Sequence, residues 1–359
     1  MREGWEEEKL KAVCQIKPSK KELSENFDDV VMVSFLPMKD LGIDQKYTKA
    51  EQEISVGAGK GSYTYFQDDD VLLAKITPCF ENGKLGIAKG LINGVGLGSS
   101  EFIIYRPKEN LTSEYLFYFL NQESFRKTGA SMMTGAVGHK RIPKEFYQEH
   151  LIPIPPLEEQ QQIVALLDRT FAAIDQAKEK LERNLHNAEE LFQSKLEAVF
   201  SQRGEDWEES SLIDISSKIG SGATPRGGQK AYKSEGISLI RSLNVYDEGF
   251  SLKKLAFIDD EQAQKLSNVE IEEEDVLLNI TGASVARCCV VPSDILPARV
   301  NQHVTIIRTH KNTLSPHFLY YSLISQSKKK LLLGIGEQGS TRQAITKKQV
   351  ESFLIEYPS

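Results

Sequence analysis

A chain of 359 residues exceeds one ordinary domain, so two domains with a connecting element are the starting expectation. Hydrophobic residues at 40% and charged residues at 26% fit a globular protein with real cores, and a net charge of −7 excludes a histone-like polybasic binder without excluding a local basic patch. Cys14, Cys79, Cys288 and Cys289 form no C-x-x-C pair and no disulfide framework, no run approaches 18 apolar residues, and the N-terminal MREGWEEEKLK has no apolar export region. A cytoplasmic setting without membrane contact is expected.

In chain order, the apolar runs DVLLAKI and EFIIYRP predict strands, and Leu111–Phe125, rich in aromatic residues and Leu at helical spacing, predicts a helix. Ser99-Ser100-Glu101 and Gly135–Arg141 predict polar loops. From Pro156 the sequence LEEQQQIVALLDRTFAAIDQAKEKLERNLHNAEELFQSKLEAVFSQ contains neither Gly nor Pro, and Glu158-Glu159 suits a helix N-terminus. With Val164 at heptad position a, the seam reads Val164, Phe171, Lys178, Leu185, Phe192 and Val199 at a, with Leu167, Ile174, Leu181, Ala188 and Lys195 at d. Nine of these eleven are apolar, which predicts a coiled-coil type of helix about 65–70 Å long. Beyond it, DVLLNIT and HVTIIRT predict strands, Leu314–Gln326 a helix and Gly336–Arg342 a polar loop.

The two flanks repeat each other. Gly4-Trp5-Glu6-Glu7 recurs as Asp206-Trp207-Glu208-Glu209, 202 positions later. Asp70-Val71-Leu72-Leu73 recurs as Asp275-Val276-Leu277-Leu278 at an offset of 205, and Ile76-Thr77 matches Ile280-Thr281 at 204. Ile142-Pro143-Lys144 recurs as Ile345-Thr346-Lys347 at 203. The expected fold is α+β: two duplicated mixed α/β domains, residues 1–156 and 203–359, joined by a spacer helix over 157–202.

Catalytic signatures are scarce. Gly57-Ala58-Gly59-Lys60-Gly61-Ser62 fails the phosphate-loop spacing, because Ile54 stands where its first Gly belongs. There is no H-E-x-x-H, no Cys/His cluster at zinc spacing, no G-x-S-x-G and no Asn/Asp-Pro-Pro-aromatic loop, so neither a catalytic residue nor a metal site is expected. Polar groups suited to phosphates and base edges collect instead in loops. In the second copy these are Gly220–Lys230 with Thr224 and Arg226; Arg241-Ser242-Leu243-Asn244; Asn279–Ser284 with Thr281 and Ser284; then Arg287, Asn301-Gln302-His303 and Gln338–Gln343 with Arg342 and Gln343. The first copy offers Lys75, Thr77, Asn82, Lys84, Ser99, Ser100, Thr134, His139, Lys140 and Arg141.

Leu151-Ile152-Pro153-Ile154-Pro155-Pro156-Leu157-Glu158-Glu159-Gln160 leads into the long helix, and Gly222-Ala223-Thr224-Pro225, Asn279–Ser284, Val300-Asn301-Gln302-His303 and Gly339-Ser340-Thr341-Arg342 follow in order. With the duplication, these make the chain resemble the DNA-sequence specificity subunits of type I restriction–modification systems. The resemblance implies two target recognition domains, each reading half of a bipartite site in double-stranded DNA, with the helix as spacer. It implies no cofactor in this chain; S-adenosylmethionine, ATP and Mg belong to the modification and restriction subunits that it recruits. Family members carry a second conserved helix after the second domain, whereas this sequence stops at Glu356-Tyr357-Pro358-Ser359. The apolar seam (Val164, Leu167, Phe171, Ile174, Leu181, Leu185, Phe192, Val199) is therefore expected to recruit a second copy of the chain or a helix of the modification subunits. The alternative is a two-headed protein-interaction scaffold on a coiled-coil rod. Charge fits the first reading: residues 157–202 carry five basic and nine acidic side chains, leaving both flanking domains near neutral.

Overall fold

The computed structural model describes residues 4–61, 63–202, 204–337 and 343–358. The chain divides into two compact units, Met1–Glu179 and Lys180–Ser359, so the division falls inside the long helix, Leu157–Ser201, and each unit keeps one part of it.

In the first unit the strand Val71–Ala74 is central to a five-stranded sheet, flanked by Phe102–Pro107 and Leu85–Ala88 and completed by Cys14–Ile16 and Tyr47–Thr48. Its residues are apolar on both faces because both faces are covered. Val71 and Leu73 pack with Ile103, Tyr105 and Leu116 beneath the helices, while the alternate Leu72 and Ala74 pack with Leu36, Phe66, Phe102 and Ile104. Full burial of each such Leu contributes about 1.5–3 kcal/mol. A second sheet runs Gln52–Ser55, Met32–Leu36, Val95–Gly98 and Thr64–Gln67, with Met32–Leu36 and Val95–Gly98 parallel.

The second unit repeats the plan. Ser216–Ser221, Val304–Thr309, Val276–Asn279 and Cys288–Val290 form one sheet in the corresponding order. Ala256–Ile258, Ile237–Ile240 and Ala298–Val300 form the other, its last pair again parallel. Leu278 and Val276 face the helices while Leu277 faces Leu239, Ile240 and Val300. In each unit the first strand pairs with the last: Glu6–Lys9 with Leu151–Ile154, and Trp207–Ser211 with Leu354–Pro358.

Three expectations shift. The single helix expected over Leu111–Phe125 is two, Ser113–Leu120 and Glu123–Ser131, broken at Asn121-Gln122; the Thr112 hydroxyl caps the first by accepting from the Tyr115 N–H at 3.3 Å. Gly336, expected in a loop, lies in the helix Gln326–Glu337, and residues 338–342 of that expected loop lie outside the described residues. Gly220 and Ser221 belong to a strand rather than to a loop. No helix among the described residues is long and apolar enough to cross a membrane.

Candidate nucleic-acid interface

At the end of the central strand, three loops of each unit are tied by the same backbone bonds. In the first unit the Lys75 N–H donates to the Glu101 carbonyl at 2.9 Å, Ile142 to Lys75 at 3.0 Å and Thr77 to Lys140 at 3.0 Å. In the second, Ile280 donates to His303 at 3.0 Å, Ile345 to Ile280 at 2.8 Å and Gly282 to Gln343 at 2.8 Å. The bonds fix equivalence: Glu101 stands where His303 does, Lys140 where Gln343 does, and Thr77 where Gly282 does. Thr281 is the counterpart of Ile76, each bridging the last loop, so the match of Ile76-Thr77 to Ile280-Thr281 is one residue out of register. Ala74 donating to Lys84 at 3.1 Å and Asn279 to Arg287 at 2.8 Å make Lys84 and Arg287 counterparts.

Most first-unit cations are already engaged. Arg141 grips Glu101 with Nε at 2.9 Å and Nη2 at 2.8 Å, and the Lys75 ammonium donates to the Ser100 carbonyl at 2.7 Å beside the same carboxylate. The Arg141 hydrogen bonds hold the Glu101 carboxyl below its usual range, and burial, with Lys17 nearby, lowers Lys75. Lys84 donates to the carbonyls of Met38 and Lys39 at 2.7 and 3.0 Å. The Thr77 hydroxyl lies 3.7 Å from the Met133 sulfur, and Ser99 Oγ accepts from the Glu101 N–H at 3.2 Å. Asn82, Ser100, Thr134, His139 and Lys140 are exposed. Here two cations share one carboxylate at the loop ends, with Lys140 presenting a further, solvated cation beside them.

The second unit places different chemistry there. The Thr224 hydroxyl donates to Gln302 Oε1 at 2.5 Å, Gln302 Nε2 meets His303 Nε2 at 3.0 Å, and His303 Nδ1 meets the Thr281 hydroxyl at 2.5 Å. An amide nitrogen only donates, so His303 Nε2 accepts and Nδ1 carries the proton toward Thr281. Gly222 brings the Thr224 loop against this row: its N–H donates to the Asn301 carbonyl at 3.1 Å, and a Cβ would lie 1.9 Å from the Val300 carbonyl oxygen. The Arg287 guanidinium lies 4.8 Å over the Tyr246 ring, and Arg241 lies 5.1 Å over Tyr232 and donates to the Lys254 carbonyl. Arg226 and Gln343 are exposed. Ser284 is half-buried beside Thr281 and Arg287 in one open groove.

Two expected contact residues face inward. Asn244 is fully buried; its Oδ1 accepts from the Arg241 N–H at 3.1 Å and its Nδ2 donates to the Ser251 carbonyl at 2.9 Å, so it holds a turn. Asn301 is buried and its Oδ1 accepts from the His303 N–H at 3.0 Å. Both are positioning residues. Arg342 lies outside the described residues.

The seam is divided. Val164 packs on the first unit's core, Leu167 is half-buried, and Phe171 stacks on Tyr118 with ring centroids 5.9 Å apart. Ile174, Leu181, Leu185, Phe192 and Val199 are exposed, Leu181 by 67% and Leu185 by 63%. The C-terminal part reaches the second unit's core through residues outside the seam: Leu196 joins the cluster, and Phe200 meets Phe318 at 5.3 Å.

Two features escaped the sequence patterns. Buried Asp70 accepts from Arg106 Nε and Nη2, both at 2.8 Å, and Asp275 accepts from Arg308 Nε at 2.7 Å and Nη2 at 2.8 Å. Both aspartates open the repeated D-V-L-L, the available signal. Gln160, of the stretch before the helix, is buried and accepts from the Thr112 N–H at 2.9 Å while donating to the carbonyls of Asn110 and Pro155 at 2.8 and 2.9 Å. It fastens the helix N-terminus to its unit.

A family model described as the type I restriction modification DNA specificity domain matches residues 2–184 and again 204–359. The specificity subunit of the EcoEI type I restriction enzyme of Escherichia coli is 37% identical over 208 residues, which are 57% of this chain and 34% of that protein. The match thus spans about a third of that relative's length. Among solved structures, a chain from work on complex assembly and conformational transition of the type I R-M system aligns with a TM-score of 0.76 and 20% identity, over 99% of this chain and 86% of that one. The HsdS subunit from Thermoanaerobacter tengcongensis aligns with a TM-score of 0.64 and 18% identity, over 100% of this chain and 86% of that chain.

Proposed function

Because the chain belongs to the type I restriction modification DNA specificity family, we propose that it is the sequence-reading subunit of a type I restriction–modification complex. Its two domains each read one half of a bipartite duplex site, and the helix Leu157–Ser201 is the spacer between halves. The chain carries out no reaction itself. Modification subunits using S-adenosylmethionine methylate the bound site, and restriction subunits using ATP and Mg cleave. The complex works in the cytoplasm.

The carrying observation is the pair of equivalent loop clusters: one scaffold presents Lys75, Glu101 and Arg141 in the first unit and Ile280, His303 and Ala344 in the second. A constant frame with exchanged loop chemistry is what two different half-sites require. The two domains are near neutral rather than basic, so DNA binding by the isolated chain is weak and partner subunits supply much of the phosphate contact. The exposed Ile174, Leu181, Leu185 and Phe192 support docking of a partner helix, from a second copy or from the modification subunits.

Methylome sequencing of cells carrying this chain with its modification subunit tests the function. A bipartite methylated sequence is expected, together with DNA binding that weakens steeply with salt. No methylated sequence and no salt-dependent binding by the assembled complex would overturn it. Light scattering tests the docking: Leu181→Glu with Leu185→Glu should abolish self-association or capture of the modification subunit. A wild-type chain that stays monomeric and unbound refutes it.

A further inference from the structure

One guanidinium of the second unit stands in a groove without an acceptor. Arg287, Tyr246, Ser242, Thr281, Ser284 and His303 line an open concavity of about 390 Å³. Arg287 lies over the Tyr246 ring, and among the described residues no carboxylate or carbonyl accepts from its side chain. Asp247, which follows Tyr246, is occupied: it accepts from the Cys288 N–H at 3.1 Å and pairs with Lys329. The other cations differ. Lys75, Lys84, Arg141 and Arg241 are all engaged with protein acceptors, and Arg226 and Lys140 are solvated.

We propose that this groove is a seat for one backbone phosphodiester of the DNA, with Arg287 as its clamp and the hydroxyls of Thr281 and Ser284 as flanking donors. The proposal rests on the DNA-reading function above and goes beyond it by assigning one site and its ligand. Shape supports a phosphate: an open concavity receives a ridge, and the ridge of a duplex is its sugar–phosphate backbone, whereas base edges lie recessed and need a protruding side chain. Chemistry supports it too. A planar fork presents paired N–H donors to two phosphate oxygens, and the contact with the Tyr246 ring restrains the side chain beforehand, so less rotamer freedom is lost on binding. The first unit has no such seat at the equivalent place. Its counterpart cation, Lys84, is bonded to the Met38 and Lys39 carbonyls, and His303 is replaced by Glu101, whose carboxylate engages Arg141 and stands beside Lys75. The grip is therefore one-sided and belongs to the second half-site.

The test uses the full chain assembled with its modification subunits and a duplex carrying its methylated sequence. Single neutral methylphosphonates are placed in turn along the second half-site, and binding is measured across a salt series. The wild type should lose affinity at one phosphate position. Arg287→Met, which keeps the aliphatic contact with Tyr246, should bind about tenfold more weakly, should flatten the salt slope by about 0.9, and should be indifferent to the methylphosphonate at that position. Arg287→Lys should restore the slope, which separates lost charge from misfolding, and the methylated sequence should stay unchanged. An unchanged salt slope in Arg287→Met overturns the clamp, and so does relaxation of one base position, which would make Arg287 a base reader. Competition by inorganic phosphate at millimolar concentration would reassign the groove to a free anion. If the wild-type complex itself shows no sequence-dependent methylation, the DNA-reading function falls; if the wild type methylates and Arg287→Met binds with its affinity and salt slope, the clamp alone falls.

Discussion

Substituting Asp275 with Ala should destabilise the second unit selectively. Its Oδ1 accepts from Arg308 Nε at 2.7 Å, and its Oδ2 accepts from Arg308 Nη2 at 2.8 Å and from the Glu272 N–H at 2.7 Å. The carboxylate is fully buried, while the guanidinium is one-fifth exposed and also meets Glu272 and the Glu270 carbonyl. Removing one partner of a buried pair costs about 3–5 kcal/mol, and the remaining contacts of Arg308 place this case near the lower end, at about 3 kcal/mol. With a urea slope of about 2 kcal/mol/M, the midpoint of this unit should fall by about 1.5 M. Hydrogen exchange under urea reports each unit separately: the amides of Leu277 and Ile306 should lose protection, while those of Leu72 and Ile104 in the first unit should not. Asp275→Leu combined with Arg308→Met should recover about 2 kcal/mol of the summed single losses, because an apolar pair leaves no orphaned charge. A loss below about 1 kcal/mol for Asp275→Ala, or strict additivity in the cycle, would refute the reasoning. The Asp70–Arg106 pair, where Arg106 also meets Glu22 at 2.8 Å, repeats the experiment in the other unit.

Gly222→Ala should destabilise the second unit by about 3 kcal/mol, since its Cβ would overlap the Val300 carbonyl; a calorimetric Tm should fall by about 6–12 °C, and an unchanged Tm would contradict the packing. Glu101→Gln should release Arg141 and Lys75 toward DNA, steepening the salt dependence of the assembled complex by about one phosphate equivalent; an unchanged slope would show that these cations face no phosphate. His150 sits among Phe119, Phe125 and Phe146, and burial lowers its pKa from the ordinary 6.5. The unfolded chain then takes up the proton first, so first-unit stability is present above pH 6.5 and declines as pH falls through that value toward the lowered one. His150→Gln should remove this component from a pH series of urea midpoints; an identical pH profile in the variant would dismiss it.

Much of the architecture is written in local pattern. The D-V-L-L runs became the central strands Val71–Ala74 and Val276–Asn279, and the Gly- and Pro-free stretch became Leu157–Ser201, because burial on both faces and uninterrupted helix formers leave a sequence mark. The helix break at Asn121-Gln122 left a weaker one, since the aromatic residues on either side keep helical spacing. The loop clusters were legible as polar, but not in what their side chains do. Whether Lys84 is free depends on carbonyls some 45 residues away, and Asn244 is withdrawn from solvent by partners seven and nine residues on. Composition carries no record of such commitments. The one-residue slip at Thr281 has a related cause: an Ile-Thr match in sequence outweighed a backbone register that only the bonds to the last loop reveal.

The pairing of each unit's first strand with its last has a mechanical consequence. Glu6–Lys9 lies against Leu151–Ile154, and the long helix begins at Leu157, so the sheets of the first unit open and close at one point. Trp207–Ser211 and Leu354–Pro358 do the same for the second. Tension arriving along the chain meets a two-stranded zip before it meets the central sheets, and four or five residue pairs can part while the sheets keep their register. Each unit is in effect a closed ring hung on the backbone by a clasp, a form that tolerates new chain ends cut into its loops.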